Sequence, residues 1–509
     1  MTHWLMRAFP FDPALGTTRP VYASLHGWVS EPDEAEAAPN TYWDRRIDVP
    51  MTTSASLWGS DEIGGLSTAS YGAVKVANAD GGLDQWLEWS WDGRIIELWR
   101  SDAVKPRHLA EFTLVTRRTV EEIVPGDMIE LVLTDAQARF TAPARRGTFA
   151  GTGGAEGAAS LKGRAKPFLL GRCRRFEPLL IDADFNIYMI DPAGYEALLA
   201  ADDGGAPFAP GPDVADYAAL KAVDMASLDL ATAKAAGLLR LSEKPIFRLR
   251  VAADGVAPAG GWISSAAQLA QHVATAFAGL DPTEIDQASI DALHALQPAV
   301  LGHWYDGSGE LTAEVLIDQI MESIGGHWGI SAEGLFQVGR YDLPAATPLA
   351  RFTRRDMINI VPQQAARRIK SVRLSYRPGL ALTEREIADG IAASARELAT
   401  QDREWTETAS DAAVTAESLL AQPLEKDTAF DDPADAAAER DRLLALLGAR
   451  RQPFDVTVAL NAASEAVRTG STIEIQHPRY GLANGRRVVV LRRDADTAPA
   501  IPTLTLTVL

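Results

Sequence analysis

Apolar residues recur at every fourth position from Leu316 through Ile320 to Ile324, with Ile317 and Met321 beside them. That stripe predicts one face of an amphipathic helix. Gly325-Gly326 admits left-handed backbone and predicts its end. The period then falls to two. His327-Trp328-Gly329-Ile330 and Leu335-Phe336-Gln337-Val338 read as short strands around Ser331-Ala332-Glu333-Gly334, with Gly334 supplying positive φ to a hairpin turn.

The same reading extends along the chain. Residues 1–145 are mostly β. In WLEWSWDGRIIELW (86–99), Asp92-Gly93 predicts a two-residue hairpin that sets Trp89 opposite Ile96, Leu87 opposite Leu98 and Trp86 opposite Trp99. Pro125-Gly126-Asp127 predicts a turn into a strand at Met128–Leu133. Gly147 to Gly163 is Gly- and Ala-rich and reads as a flexible connection. Apolar clusters at Phe168–Leu170, Leu179–Ile181 and Ile187–Ile190 predict short strands of a compact module. Residues 193–240 read as a long Ala/Asp/Pro-rich connection with one or two weak helices, and Ile246–Val251 as a closing strand.

From about residue 256 the pattern is α/β. Ser265 to Gln268 forms a capping box before Leu269, Val273 and Phe277, and Asp286 caps a second helix carrying Ile290, Leu293 and Leu296. Val300–Tyr305 is a strand. In the last section Ile369–Tyr376 alternates as a strand. Thr383–Glu386 forms a second capping box with helix to about Arg403, and Asp432-Pro433 opens a helix bearing Leu443, Leu444 and Leu447. Strands follow at Phe454–Leu460, Ser471–His477, Arg486–Arg493 and Thr503–Leu509. The pattern predicts a β-rich, multidomain α+β chain: an N-terminal β domain (1–145), a small β module with its excursion (160–255), an α/β module (256–345), and a second β domain (346–509) with a helical insertion at 383–450.

Composition narrows the function. A chain of 509 residues exceeds one hydrophobic core. Its 49 Lys and Arg against 68 Asp and Glu give a net charge of −19, which argues against a general nucleic-acid binder and suits a surface past which DNA slides. No apolar run approaches the ~20 residues of a membrane span. The N-terminus lacks a basic region followed by an apolar one, so no leader is expected. Cys173 is the only cysteine, so no intramolecular disulfide forms. Its arginine neighbours could lower its pKa, yet no His constellation accompanies it, and its reading is a small apolar filler.

Candidate chemistry is sparse. The eight histidines form no HxxH or HExxH, and CxxC is impossible. There is no GxSxG, Walker loop or GxGxxG opening a helix. Gly151-Thr152-Gly153-Gly154 lacks the Lys-Ser/Thr of a phosphate loop. Carboxylate pairs of a hydrolase are specified by geometry and stay open at this stage. His303 and His327, beside Trp304 and Trp328, read as packing residues. Eight of the 12 Trp precede residue 100. They read as core and rim, with a sugar-stacking platform as the alternative. No catalytic, cofactor-binding or metal residue is assigned, and no cofactor.

Several segments carry a resemblance. EIDQASIDAL from Glu284, Pro298–Tyr305 and IGGHWGISAEGLFQVGRYDLP resemble the middle domain of hub proteins at the tail tip, or baseplate, of long-tailed bacteriophages and gene-transfer-agent-like particles. Lys162–Pro167 with Leu170-Gly171 and Ile187-Tyr188, Glu404–Ala413, Ala438–Leu447 and GSTIEIQHPRYGLANGRRVVVL from Gly470 are similar to further segments of these proteins. Together they cover most of 160–509; residues 1–145 match less clearly. The resemblance implies tail-tube-like β-barrels and a homotrimeric ring in the virion, made in the host cytoplasm. The ring would contact the tail tube, tape measure protein and distal fibre or tip proteins, and DNA would cross it without specific binding. It implies no enzyme. The sequence departs from the longest hubs in showing no fibre-like extension, so receptor binding is expected of other proteins, and it lacks the cysteines of iron–sulfur tail tips.

Overall fold

The computed structural model describes residues 2–57, 65–70, 72–134, 136–258, 261–365, 367–497 and 502–509. Nine strands of the N-terminal section form one sheet in the order Trp28–Val29, Tyr42–Arg45, Val21–Ser24, His3–Ala8, Ile95–Ser101, Thr113–Val124, Met128–Thr134, Ala73–Ala77, Ile47–Val49. The period-two pattern explains the pairing. Met6 and Ala8, Ile96 and Leu98, Val74 and Val76, and Ile129 and Leu131 share one buried core. The Pro125–Asp127 turn joins Thr113–Val124 to Met128–Thr134 as expected.

The Trp-rich hairpin does not form. Residues Asp84–Glu88 are a 3-10 turn, and Ile95–Ser101 pairs with His3–Ala8 and Thr113–Val124. Trp99 therefore faces Leu5 and Leu114, not Trp86. The Asp92-Gly93 turn itself is present: Gly93 has φ 68, and Arg94 N–H donates to Trp91 O at 2.9 Å. Trp86, Trp89 and Trp91 enter the core instead, and the Trp91 indole N–H donates to Trp86 O at 2.7 Å. An isolated ribbon would leave one aromatic face in water; the plug removes both.

The second large sheet has eight strands. Six run in the order Ala350–Thr353, Thr472–Gln476, Arg486–Asp496, Thr503–Val508, Phe454–Ala459, Met357–Pro362. The two edge strands of this path are consecutive in sequence, joined by residues 354–356, so the sheet curls into an open barrel. Phe352, Phe454, Val456, Ile473, Ile475, Val488 and Leu506 fill the interior. The remaining two strands, Thr52–Ser56 and Thr68–Ser70, come from the N-terminal section, and Thr52–Ser56 pairs with Arg492–Asp496. The chain thus leaves the edge of the first sheet at Val49 and enters the second at Thr52.

Between them lies the middle of the chain. Phe168–Phe176 pairs with Leu249–Asp254 on one side and Gly302–Tyr305 on the other. The expected flexible segment 147–163 is an ordered loop. Phe149 is buried, its N–H donates to Arg164 O at 2.9 Å, and Lys166 pairs with Glu156 at 2.6 Å. Its glycines supply the positive φ of tight turns rather than slack. The region read as a connection, 193–240, also orders into strands Ala197–Asp203, Leu230–Ala233 and Leu238–Leu241 with one short helix, Tyr217–Ala222. The closing strand falls three residues later than its pattern suggested.

Helices Ala266–Ala276, Gln287–Leu296 and Ala313–Glu322 share one core with the hairpin Gly326–Ile330/Phe336–Arg340. The Ser265/Gln268 capping box and the Asp286 cap are in place. In the excursion the Thr383 box closes only a 3-10 turn, and the helix there is Ala393–Ala399, after the positive-φ Gly390. Helix Pro433–Gly448 lays Leu443, Leu444 and Leu447 on Val372 and Leu374 of strand Ile369–Tyr376. The fold is α+β and β-rich, with eight α-helices among the described residues.

Candidate functional site

The residues singled out for chemistry lie apart. Cys173 is buried, and that burial pushes its thiol up, with Asp431 adding to the effect. The arginines beside it do not lower it. Along the strand they turn to the other face, where Arg172 grips Asp254 at 2.6 and 2.9 Å and Arg174 grips Asp431 at 2.5 and 2.7 Å. His303 packs against Phe168 and His327 over Gly339, and burial lowers each to about 4. Trp304 packs on Phe176 at 4.4 Å. Trp328 is enclosed, its indole N–H donating to Asp318 at 2.7 Å. Among the described residues no group of three His, Cys, Asp or Glu could hold a metal ion. No described helix is long and apolar enough to cross a membrane.

The structure instead concentrates charge at three junctions. The first is a cleft of about 120 Å³ between the two large sheets and the hairpin, lined by Trp4, Ser54, Arg118, Glu333, Glu465 and Arg493. Arg100 of the first sheet reaches Glu465, at the end of the short helix Ala462–Glu465 that follows strand Phe454–Ala459, and also holds Asp102 with two 2.9 Å bonds. Arg493 donates to Val467 O at 3.1 Å. Burial foremost, with Arg468 nearby and Glu465 opposing, brings its guanidinium down to about 10. Arg468 faces Glu333 of the hairpin at 3.5 Å. These charges tie three elements together across the cleft.

The second junction is Asp431. Its carboxylate takes Arg174 and faces Arg172 at 3.8 Å, while its carbonyl accepts from Arg377 at 2.7 Å. Arg175 donates to the carbonyls of Arg377, Leu398 and Gln401. Strand Phe168–Phe176 is thereby fastened to the excursion. At its other flank Gly171 meets Gly302, where a Cβ on Gly302 would lie 1.7 Å from Arg172 O.

The third is Glu439, buried on helix Pro433–Gly448. Arg442 holds it with bonds of 2.8 and 2.6 Å and reaches on to Asp342, Tyr341 O and Ile324 O. Burial raises the Glu439 carboxyl, with Arg442 opposing. Burial works to lower Arg442, but the bonds to Glu439 and Asp342 prevail and raise it. Sequence reading passed over Asp431, Glu439 and Arg442. One signal was available for Glu439: it shares the helix stripe of Ala436, Leu443 and Leu446, where a charge needs a partner.

No protein-family model matches the chain, and no curated protein does. It is similar to solved structures. A tail protein from Neisseria meningitidis MC58 aligns with a TM-score of 0.42 at 9% identity, covering 100% of this chain and 96% of that one. The 43 kDa tail protein of prophage MuSo2 from Shewanella oneidensis aligns at 0.37 and 10% identity, covering 100% and 98%. A chain of the native gene transfer agent virion aligns at 0.39 and 14% identity, covering 68% and 84%.

Proposed function

We propose that the chain is a structural protein of a virion tail, the central hub of a tail tip or baseplate. Three copies form a ring that joins the tail tube to distal fibre or tip proteins, meets the tape measure protein, and lets DNA pass. The observation that carries this reading is where the hub-like segments fall. The helix and hairpin of 313–340, strand Phe168–Phe176, helix Pro433–Gly448 and the strand pair of 472–496 are the elements held by the three charged junctions. They form one continuous framework that includes two strands of the second sheet. Such a framework resists load, which a connector must do, and its buried charge sets the relative placement of its parts. The net charge of −19 accords with a path that DNA crosses without adhering.

Electron microscopy of purified particles, with this chain carrying a gold-binding tag, tests the reading. Label at the tail tip around a three-fold ring is the expected result. Label elsewhere, or a purified monomer that clears cell walls on a zymogram, overturns it.

A further inference from the structure

The charge of the chain is unevenly placed. Residues 346–382 and 450–509, most of the second sheet, carry 16 Lys and Arg against 6 Asp and Glu, a net of +10. The remaining residues carry 33 against 62, a net of −29. The excursion 383–449 alone holds 6 against 16, a net of −10. A basic barrel and an acidic insertion therefore share one section of an acidic protein.

The strand register gathers the basic charge at one end of the barrel. Thr353 pairs with Gln476, and Ile475 pairs with Arg486. The turn bearing Arg354 and Arg355, the loop bearing Arg479, and the strand start at Arg486-Arg487 thus lie together. Among the described residues none of these five has a carboxylate within ion-pair distance; Arg487 donates to Ala346 O at 2.7 Å, and Arg479 lies over the Tyr480 ring. Apolar surface adjoins them. The edge strand Met357–Pro362 leaves Ile358 56% exposed and Val361 41% exposed. Arginine beside exposed Ile, Val and Tyr has the composition of a protein interface.

The excursion supplies the complement. Leu419 is 90% exposed and Leu420 73% exposed at the turn between helix Ala412–Glu417 and strand Gln422–Lys426. The turn is held rigidly: Asp411 caps the helix, Ser418 N–H donates to Val414 O, and Ala421 N–H to Ser418 O, both at 2.9 Å. Within one chain the carboxylates of this insertion reach Arg172, Arg174, Arg340, Arg368, Arg373 and Arg377 outside it, and none of the five barrel-end arginines.

We propose that the acidic insertion of one copy, led by Leu419-Leu420, docks on the basic barrel end of a second copy. The contact uses two different surfaces, so it repeats head to tail and closes into a ring when the rotation permits. It rests on the ring reading above and assigns the surfaces that would build it.

Sedimentation of the full chain at low salt and at about 1 M salt, where the Debye length is about 3 Å, tests it. The wild type should associate at low salt and dissociate at high salt. R354E/R355E and L419S/L420S, both on exposed turns, should each weaken association about tenfold or more while keeping wild-type circular dichroism. Mixed together, they should recover one heterodimer and nothing larger, because one intact surface of each kind remains. A wild type that stays monomeric at low salt, variants that associate normally, or a mixture that stays monomeric overturns the contact. So does double-stranded DNA binding that R354E/R355E abolishes while self-association is absent. A three-fold ring in particles whose copies meet elsewhere defeats this contact and leaves the tail reading intact; absence of any ring defeats both.

Discussion

At the scale of single residues, Gly325 and Gly326 divide a task that their sequence presents as shared. Gly325 alone takes the left-handed turn, at φ 60. Gly326 begins the strand and is small because space demands it: a Cβ there would sit 2.7 Å from Met321 Cε and 3.1 Å from Gly339 O. Gly326→Val is expected to cost about 1–3 kcal/mol through overpacking, and Gly325→Ala about 1–2 kcal/mol through its backbone. Urea midpoints check both, and an unchanged midpoint for Gly326→Val would refute the packing account. The pair was visible in the sequence as a helix stop. Which glycine turns and which makes room was not, because the second role is set by how Met321 of the helix and Gly339 of the hairpin close on it.

At the scale of elements, local signals served where the partner is local. The caps at Ser265, Asp286 and Asp432 and the 326–340 hairpin needed only neighbouring residues. The Asp92-Gly93 ribbon failed because the turn was read correctly and its strands were not. Ile95–Ser101 finds partners in His3–Ala8 and Thr113–Val124, and nothing within residues 86–99 announces them. The junction at Glu439 is the clearest test of an element's attachment. Removing that carboxylate leaves Arg442 buried against Tyr341 O, Ile324 O and Asp342 alone. Glu439→Ala is expected to lower stability by about 3–5 kcal/mol. Replacing both residues by Leu should cost much less, since no lone charge remains. If the single and double variants melt together, the ion pair does not fasten this helix.

At the scale of the molecule, titration of the interior fixes a direction for acid sensitivity. His272, His303 and His327 are each brought down to about 4, by burial and, for His272, also by Arg146. Burial foremost raises Asp191 and Asp318 to about 6. Near pH 5 the unfolded chain holds three imidazole protons that the native chain refuses, while the native chain holds two carboxyl protons that the unfolded chain has released. Across these five groups the unfolded state binds about one proton more, so they lower stability by roughly 1.4 kcal/mol per pH unit on acidification between about pH 6.5 and 4. Denaturation curves across that window check the sign; stability that is flat or rises toward pH 5 contradicts it. Substituting Gln at His303 should lessen the slope.

The crossing from Val49 into Thr52 has a consequence in time. Strand Thr52–Ser56 leaves the ribosome long before its partner Arg492–Asp496. Until then the second sheet lacks a strand, and the early segment carries unmet backbone groups. A chain interrupted during translation cannot hide that edge, so it stays visible to proteases and chaperones. The crossing therefore ties the folding of the earlier segment to the synthesis of the later one.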